Sequence, residues 1–247
     1  MNILGIDIGG SGIKAAVVNT KTGELITERH RIDTPKPATP KAVAKVIKEI
    51  IHHFHWKASV GCTFPTIIVN GKSMHHGNLS EKWLGVQVDK LFSETCNNIP
   101  FFIGNDADLA GVAELKLGAG KNHRGKVLVI TIGTGIGSGM FYDGQLIPNA
   151  ELGRMYHKNG KIVEKMCADS IRKKENLSLK QWAKRFDNFL NHLVIIHTPE
   201  LFILGGGISK KFDQFKKHFT VNIPIKVAEF RNNAGIIGAA LLAKEKM

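Results

Sequence analysis

The feature that most constrains this sequence is a glycine-rich turn that occurs twice, each time between two strand-like runs. The first turn lies in DIGGSGIK, residues Asp7–Lys14, and the second lies in TIGTGIGSG, residues Thr131–Gly139. Apolar and β-branched residues precede and follow each turn, a pattern typical of tight β-hairpins. Because each half of the chain begins with the same element, the sequence predicts two similar α/β halves that face a cleft.

Further strands and helices follow each hairpin. The sequence predicts a third strand over Glu24–Ile32, and the helical spacing of apolar residues predicts a helix over 42–51. In the second half it predicts a largely helical stretch over 163–197, with Ser178 as an N-cap, and another helix after Ser209. Strands mixed with helices in this way indicate an α/β fold.

The chain of 247 residues allows one large domain or two smaller ones. With the boundary placed near Asn105, we expect domains at 1–104 and 105–232, and a closing helix at 233–247 that packs back on the first domain. The hydrophobic share of 43% and the charged share of 22% are those of an ordinary globular protein.

The cysteines and the apolar runs exclude several classes of protein. Cys62, Cys96 and Cys167 are too far apart for a disulfide framework or a CxxC zinc site, so we expect no zinc. No apolar run reaches the roughly 18 residues of a membrane-spanning helix, and we expect no membrane partner. The first residues lack the pattern of a signal peptide, so we expect a cytoplasmic protein.

The formal net charge of +13 indicates an anionic partner. Nucleic acid, an anionic membrane surface and a phosphate-rich small substrate are the alternatives. The lysines are scattered, neither terminus carries a basic arm, and the aromatic content is 7%. We therefore expect no nucleic acid partner, and a phosphate-rich substrate is favoured over a merely solvated basic surface only if a phosphate site is present.

The glycine turns are candidates for that phosphate site. They lack the GxGxxG spacing of a dinucleotide fold and the GxxxxGK of a P-loop. Backbone N–H groups of a glycine-rich turn can nevertheless converge on an anion, although a plain β-turn stays an alternative. The candidate donor-binding residues, with those of a third glycine run, are Gly9, Gly10, Ser11, Gly12, Lys14, Thr131, Gly133, Thr134, Gly135, Gly205, Gly206 and Gly207.

Several segments together resemble the ROK family of sugar kinases, and the resemblance runs over nearly the whole chain. Those that carry it are Asp7–Lys14, Gly104–Asp108, Thr131–Gly139, Glu151–Gly153 and Leu204–Ser209. Within the family, the segments Thr34–Pro40, 118–121 and 232–240 are most similar to the polyphosphate-using glucokinases. No helix-turn-helix precedes Met1, so we expect an enzyme and not a member of the repressor branch.

The resemblance implies the actin/hexokinase-like (ribonuclease H-like) fold, with two α/β domains around a cleft. It also implies transfer of a phosphoryl group to the 6-hydroxyl of glucose or a similar hexose, with Mg²⁺ as cofactor. The donor it implies is polyphosphate, either alone or with ATP as a second donor. A homodimer is implied as well. Phosphoryl transfer of this kind needs a positioned hydroxyl, a base and positive groups around the phosphate.

The resemblance assigns roles to individual side chains. Asp106, expected where a strand ends and a helix begins, would be the catalytic base, although an aspartate at such a place is also a common N-cap. Asp7 would hold Mg²⁺ or orient the donor, and Lys14 is either a strand-edge lysine or a phosphate contact. The sugar-binding residues implied by the family are Asn78, Asn105, Asp106, Glu151 and Glu164, with Asp108 expected to face away.

The sequence departs from the family at three places. Arg154 replaces a histidine that contacts the sugar, and it could pair with Glu151 or reach a phosphate. Thr66 follows Pro65 where the family usually has glycine, and the cysteine-rich zinc motif of many members is absent. Besides the polyphosphate-dependent kinase, two alternatives stay open: an ATP-dependent hexose or aminosugar kinase, and a sensor of sugar or polyphosphate with weakened catalysis.

Overall fold

A computed structural model of the chain describes residues 1–77, 79–157 and 159–247. They divide into two compact units, one of residues 1–113 and 233–247 and one of residues 114–232. The first unit thus extends beyond residue 104, the limit expected from the sequence, and it includes the closing segment 233–247. No helix in the described ranges is both long and apolar enough to cross a membrane.

The first unit is built on a five-stranded sheet with the order β3-β2-β1-β4-β7. The strands β1, β2 and β3 pair antiparallel, whereas β1, β4 and β7 pair parallel. Its elements are β1 (Asn2–Ile8), β2 (Gly12–Asn19), β3 (His30–Asp33), α1 (Pro40–His53), β4 (Val60–Phe64), β5 (Ile68–Val69), β6 (Lys72–Ser73), α2 (Val88–Thr95), β7 (Phe101–Asn105), α3 (Asp106–Lys116), which crosses the division, and α8 (Ala234–Lys246).

The second unit contains a sheet with the same kind of pairing. Its order is β10-β9-β8-β11-β12, again with two antiparallel followed by two parallel pairs. The predicted repetition of a strand–glycine turn–strand element that continues into α/β structure is therefore confirmed. The elements are β8 (Lys126–Ile132), β9 (Ile136–Tyr142), β10 (Gln145–Ile147), α4 (Glu164–Cys167), α5 (Asp169–Lys174), α6 (Leu179–His197), β11 (Leu201–Gly205), α7 (Phe212–Phe215) and β12 (Ile225–Val227).

Local sequence accounts for the two long amphipathic helices. Thr39 caps α1 by accepting a hydrogen bond from Ala42 N at 3.3 Å, and a proline in the first turn fits the missing N–H there. Ser178 and Gln181 form a capping box at the start of α6, as the sequence predicted for Ser178. The buried indole of Trp182 then donates to the carbonyl of Cys167 at 2.7 Å, which holds the short helix α4 against α6.

The closing helix α8 lies on the first sheet with backbone against backbone. A Cβ added to Gly5 in β1 would overlap the carbonyl oxygen of Ile236, and one added to Gly61 in β4 would overlap that of Ala239. Only a residue without a side chain permits such an approach. Nearly every apolar residue of α8 is buried, as is typical of a helix that is hydrophobic all round.

Two elements differ from the sequence-based expectation. The third strand is confined to His30–Asp33, and the backbone N–H of Val17 donates to the side-chain hydroxyl of Thr27 at 3.0 Å instead of to a carbonyl. Pairing with β2 resumes only as an isolated bridge between Val18 and Leu25. The helix expected after Ser209 is broken into a 3-10 helix at Gly207–Lys211, the single turn of α7 and another 3-10 helix at Lys216–His218.

Replacing Gly61 by alanine is expected to destabilise the first unit, because the added methyl group meets the backbone of α8. Overpacking of this kind costs about 1–3 kcal/mol, so the urea midpoint of unfolding, followed by circular dichroism, should fall. Gly207→Ala is the matched control, since a Cβ there would meet nothing within 4 Å. Equal midpoints for the two variants would contradict this account of the packing.

Candidate active site

Strand register places a charged pair at the carboxyl end of β1. Asp7 lies opposite Lys14 in β2 and beside Thr63 in β4. The hydroxyl of Thr63 donates to Asp7 Oδ1 at 2.8 Å, and the ammonium group of Lys14 lies 3.2 Å from Oδ2. The side chain of Lys14 thus points to the carboxylate that ends β1, which brings a cation and an anion to the expected donor-phosphate site.

The first glycine turn is stabilised by side chains in β3 and directly after it. The N–H of Gly9 donates to Gly12 O at 3.1 Å, and the carbonyl oxygen of Gly9 accepts from the hydroxyl of Thr34 at 2.5 Å. Arg31 donates to the carbonyl of Ser11 at 3.1 Å, and a Cβ on Gly12 would lie 2.7 Å from its Nε. A guanidinium group therefore supports the turn, whose residues Gly10 and Ser11 are exposed.

Asn105 and Asp106 stand at the junction of β7 and α3, as the sequence predicted. Asn105 Oδ1 accepts from the N–H groups of Ala107 and Asp108 at 2.9 and 3.1 Å, so Asn105 caps the helix. Asp106 is the first helical residue, and its Oδ1 accepts from Ala107 N at 2.8 Å. The capping role that competed with catalysis for Asp106 is thus taken by its neighbour.

Asp108 and the side-chain amide of Asn105 also belong to this junction. Asp108, which was expected to face away from the cleft, lies two residues into α3 and is buried. Asn105 Nδ2 donates to the carbonyl of Thr66 at 3.1 Å, which links the start of α3 to the segment after β4. Asn78, the remaining sugar-binding candidate of this unit, lies outside the described residues.

In the second unit, Glu164 packs against the glycine turn between β8 and β9. Its Oε2 accepts from Ile136 N at 3.0 Å, and a Cβ on Gly135 would overlap the same oxygen. Ser170 holds the turn from the other side, donating to Thr134 O at 2.6 Å through its hydroxyl and to Gly133 O at 3.2 Å through its backbone. The second turn is therefore fixed by the starts of α4 and α5.

The glycines of the second unit differ in whether the structure requires a residue without a side chain at their positions. Gly206 has a φ of +82°, and a Cβ there would overlap the backbone of Ile132, so its own conformation requires glycine. Gly133 and Gly207 have no such constraint, and a Cβ on either would meet nothing within 4 Å. Thr131 pairs with Gly205 in the adjacent strand. Neither packing nor backbone conformation therefore requires glycine at positions 133 and 207.

Glu151 and Arg154 form the contact that the sequence left as one of two alternatives. Arg154 Nε lies 3.3 Å from Glu151 Oε2 across one turn of 3-10 helix. The guanidinium group is more than half exposed, so the pair is open to solvent. His157, three residues further on, lines a pocket of about 210 Å³ with Tyr156, Val163, Asn188, Phe189 and His192.

The start of α5, which holds the second turn, depends on an ion pair that the sequence analysis missed. Asp169 Oδ1 lies 2.6 Å from Arg172 Nε, and its Oδ2 lies 2.9 Å from Lys173 Nζ. Burial alone would raise the pKa of Asp169, but hydrogen bonds from these two cations and their positive charges outweigh it and lower the pKa below 3.8. The spacing of three and four residues on a helix was the available sign of this pair.

Metal binding and thiol chemistry depend on the His, Cys, Asp and Glu side chains. In the described part of the chain, no three or more His, Cys, Asp or Glu side chains are grouped to hold a metal ion. Burial raises the pKa of Cys96 to about 11 and that of Cys167 to about 12, and burial together with the charge of Asp7 raises the pKa of Cys62. These thiols are protonated at neutral pH and are poor nucleophiles.

Each of the two sheets has two antiparallel and two parallel strand pairs and a glycine turn at its strand ends, and an Asn–Asp pair begins a helix. Together these features define a protein of the actin/hexokinase-like fold. The model of the ROK family matches residues 3–168, and the chain belongs to the ROK family. The matched range contains all the predicted site residues except Gly205, Gly206 and Gly207.

Individual relatives extend the similarity over nearly the whole chain. The polyphosphate glucokinase of Mycobacterium leprae (strain TN) is 41% identical over 237 residues, 96% of this chain and 73% of that protein. That of Mycobacterium tuberculosis (strain ATCC 25618 / H37Rv) is 40% identical over 96% of this chain and 89% of its own length. The crystal structure of inorganic polyphosphate/ATP-glucomannokinase from Arthrobacter sp. strain KM matches with a TM-score of 0.94 and 39% identity, covering 100% of this chain and 99% of that one.

Asp169→Asn is expected to lower the thermal unfolding temperature at neutral pH, because the amide loses the attraction of both cations. The native pKa of Asp169 is below its ordinary value of 3.8, so its contribution is present above that pH and is lost as the pH falls through the native pKa. Unfolding temperatures of the two proteins, measured from neutral pH downward, should therefore converge. A difference that stays constant over the whole range would contradict this assignment.

Proposed function

We propose that this protein transfers a phosphoryl group from inorganic polyphosphate to the 6-hydroxyl of glucose or a similar hexose, and that ATP serves as a second donor. The observation that carries the proposal is the position of Asp106, at the start of α3 beside a capping asparagine, in a chain about 40% identical to polyphosphate glucokinases. The resemblance also implies a homodimer in the cytoplasm, and both belong to the proposal.

In the proposed reaction Asp106 is the general base. Its carboxylate accepts the proton of the 6-hydroxyl as that oxygen attacks the terminal phosphorus of the donor. A bond forms between the sugar oxygen and phosphorus, and the bond from phosphorus to the bridging oxygen breaks with its electron pair. The products are a hexose 6-phosphate and a polyphosphate shorter by one unit. A base of this kind contributes roughly 10²- to 10⁴-fold to the rate.

Hydroxyl recognition is assigned to the acidic and amide side chains. A carboxylate can accept hydrogen bonds from two vicinal hydroxyls, and a site built this way rejects analogues that lack them. Glu151 and Glu164 would do so, and Asn105 would contribute its amide. Because Glu164 Oε2 already accepts from Ile136 N, Glu164 would also couple sugar binding to the position of the second glycine turn.

Mg²⁺ is the cofactor implied by this chemistry, and the residues present fit it. In phosphoryl-transfer sites the ion is typically held by one or two carboxylates together with phosphate oxygens and water. Asp7 would supply the carboxylate, with Thr63 fixing one of its oxygens. When bound, the ion would neutralise charge on the donor phosphates. Lys14, 3.2 Å from Asp7, places a further positive charge at the same strand end.

Four basic side chains of the second unit, here called the lysine group, support a polyanionic donor. Lys180 and Lys184 lie one turn apart on α6, and Lys217 and His218 end a short 3-10 helix. Within the described ranges, no carboxylate lies within ion-pair distance of the three lysines, which are all exposed. The pKa of His218 is lowered by desolvation and then by the positive charges of Lys217, Lys180 and Lys184, so all three lysines act on this one side chain.

The backbone connects the lysine group to the second unit's glycines. The short helices that begin at Gly207 carry Lys210 and Lys211 and end at His218. The segment after His218 is held to α6, because the side chain of Asp187 accepts from Thr220 N at 2.8 Å and from its hydroxyl at 2.7 Å. A phosphate chain bound near Gly207 would therefore find cations along this path.

Two alternatives have specific support. An ATP-dependent hexose or aminosugar kinase is compatible with every site residue described, with the basic surface as background. A sensor with weakened catalysis is favoured by Arg154, because its Nε lies 3.3 Å from Glu151 Oε2 and so pairs with a carboxylate that would otherwise bind the sugar. Donor preference separates the first alternative from the proposal, and binding of sugar without turnover separates the second.

Asp106→Asn should lower kcat by roughly 10²- to 10⁴-fold with either donor, because the amide cannot accept the proton of the 6-hydroxyl. The measurement is glucose 6-phosphate formation with Mg²⁺ and polyphosphate, ATP or no donor. The circular dichroism spectra of the two proteins should coincide, which excludes a folding defect.

Wild-type turnover with ATP alone would contradict the polyphosphate part of the proposal. If neither donor gives product, the Arg154→His variant decides between a blocked pocket and a different substrate. Product formed only by that variant would indicate that the Arg154–Glu151 pair blocks the sugar.

Lys180→Gln/Lys184→Gln/Lys217→Gln should raise KM for long-chain polyphosphate by about tenfold, since three exposed ionic contacts contribute up to about 1 kcal/mol each. KM for ATP should change less than about twofold on the same scale. The matched control, Lys41→Gln/Lys45→Gln/Lys48→Gln on α1, removes the same charge from the first unit. Added salt should raise KM for polyphosphate more steeply than KM for ATP. Equal effects of the two triple variants would mean that only net charge matters.

A further inference from the structure

The segment after β4 carries a buried hydroxyl group that forms no hydrogen bond within the described part of the chain. Thr66 comes two residues after the end of β4 and is 6% exposed. Its Oγ1 forms no hydrogen bond with any residue that the structure describes. Because buried polar groups in native proteins nearly always have a partner, this hydroxyl requires an explanation.

The other buried threonines show how such a hydroxyl is normally satisfied. Thr20 donates to Met1 O at 2.9 Å, and Thr34 donates to the carbonyl of Gly9 at 2.5 Å. Thr63, three residues before Thr66, donates to a carboxylate and accepts from a backbone N–H. Thr66 differs from all three, although a threonine hydroxyl can rotate to suit a nearby group.

Thr66 lies within one hydrogen bond of the proposed catalytic dipeptide. Its carbonyl oxygen accepts from Asn105 Nδ2 at 3.1 Å. The register of β4 and β7 pairs Phe64 with Asn105, so the segment after β4 and the start of α3 leave the sheet at the same edge. Thr66 is therefore placed beside the residues that would bind and deprotonate the sugar.

A second unpartnered atom lies in the loop that covers this segment. His76 Nδ1 is buried and has no hydrogen-bond partner among the described residues. The next residue, Gly77, has a φ of +59°, and a Cβ on it would overlap the carbonyl oxygen of Pro65. The loop thus packs on the Pro65–Thr66 segment. Two unsatisfied polar atoms in contacting segments suggest a missing polar ligand more strongly than one does.

We propose that Thr66 is a specificity-determining residue whose hydroxyl binds a hydroxyl group of the hexose. This inference rests on the proposed function and adds a residue that the family's usual glycine could not supply. A sugar hydroxyl both donates and accepts, as does the threonine hydroxyl, so the two groups are complementary. A site with a buried hydroxyl of this kind discriminates against analogues that leave it unpaired.

The first test compares stability and hexose binding in Thr66→Val, which keeps the shape of the side chain and removes the hydroxyl. Without ligand, the variant should unfold at an equal or higher urea concentration than the wild type, because an unsatisfied polar group has been removed. Calorimetric titration with glucose, without donor, should show affinity about tenfold weaker. Thr66→Ser should retain wild-type affinity.

Thr20→Val is the matched control for this test. Thr20 is as buried as Thr66, but its hydroxyl has a partner in Met1 O. Its replacement should lower the urea midpoint, because the hydrogen bond from the Thr20 hydroxyl to Met1 O is lost and only the backbone N–H of Thr20 still donates to that carbonyl. Glucose affinity should stay unchanged. The expected result is that Thr66→Val weakens sugar binding without lowering stability, whereas Thr20→Val lowers stability without weakening sugar binding. A general structural role of Thr66 would not give this pattern.

Kinetics and deoxy sugars identify the group that Thr66 binds. Thr66→Val should raise KM for the hexose about tenfold, with KM for polyphosphate unchanged. In a series of monodeoxyglucoses, one compound should bind equally to the wild type and to Thr66→Val. The hydroxyl missing from that compound is the partner of Thr66 Oγ1.

Three outcomes would overturn the inference. The first is a Thr66→Val protein that turns over hexose with wild-type KM, which leaves the proposed function intact. The second is destabilisation of that variant to the same extent as Thr20→Val with unchanged sugar affinity. The third is a wild-type protein that binds no hexose, which would overturn the proposed function as well.

Discussion

The contact between α8 and the first sheet is the constraint on which the first unit depends. At Gly5 and Gly61 the helix backbone lies against strand backbone, so α8 has no freedom to shift without separating from the sheet. Near the start of α8, a Cβ on Gly235 would lie 2.7 Å from Asp7 Oδ1. The space that the carboxylate occupies is therefore set by helix packing as well as by strand register, and it would disappear if this glycine carried a side chain.

The sequence predicted the features that depend on local pattern. The hairpins, the helix α1 and the cap at Ser178 follow from residues close together in the chain, and they were predicted correctly. Features that depend on distant pairing were not predicted. Arg31 supports the first glycine turn because the pairing of β3 with the start of β2 places it opposite Lys14, close to that turn.

The candidate site also combines features that local sequence predicted with features that depend on distant packing. The Asn105–Asp106 pair was identified from its resemblance to the family's dipeptide and from its place between a strand and a helix. Which of the two residues caps α3 could be read only from the structure, in which Asn105 accepts from two N–H groups. The contact of Glu164 with the second glycine turn and the unpartnered Thr66 hydroxyl could not be predicted, because both depend on how separate segments pack. A departure from the family pattern was the available sign at Thr66 and also at Arg154.

The discontinuous composition of the first unit has a consequence for the order in which the chain folds. The second unit is continuous, from residue 114 to residue 232, whereas the first lacks its closing helix until residues 233–247 have been made. During synthesis, the second unit is thus fully available to fold before the first has the helix that covers Gly5 and Gly61. Until then the apolar face of the first sheet is uncovered, and the unit made first on the ribosome is the one completed last.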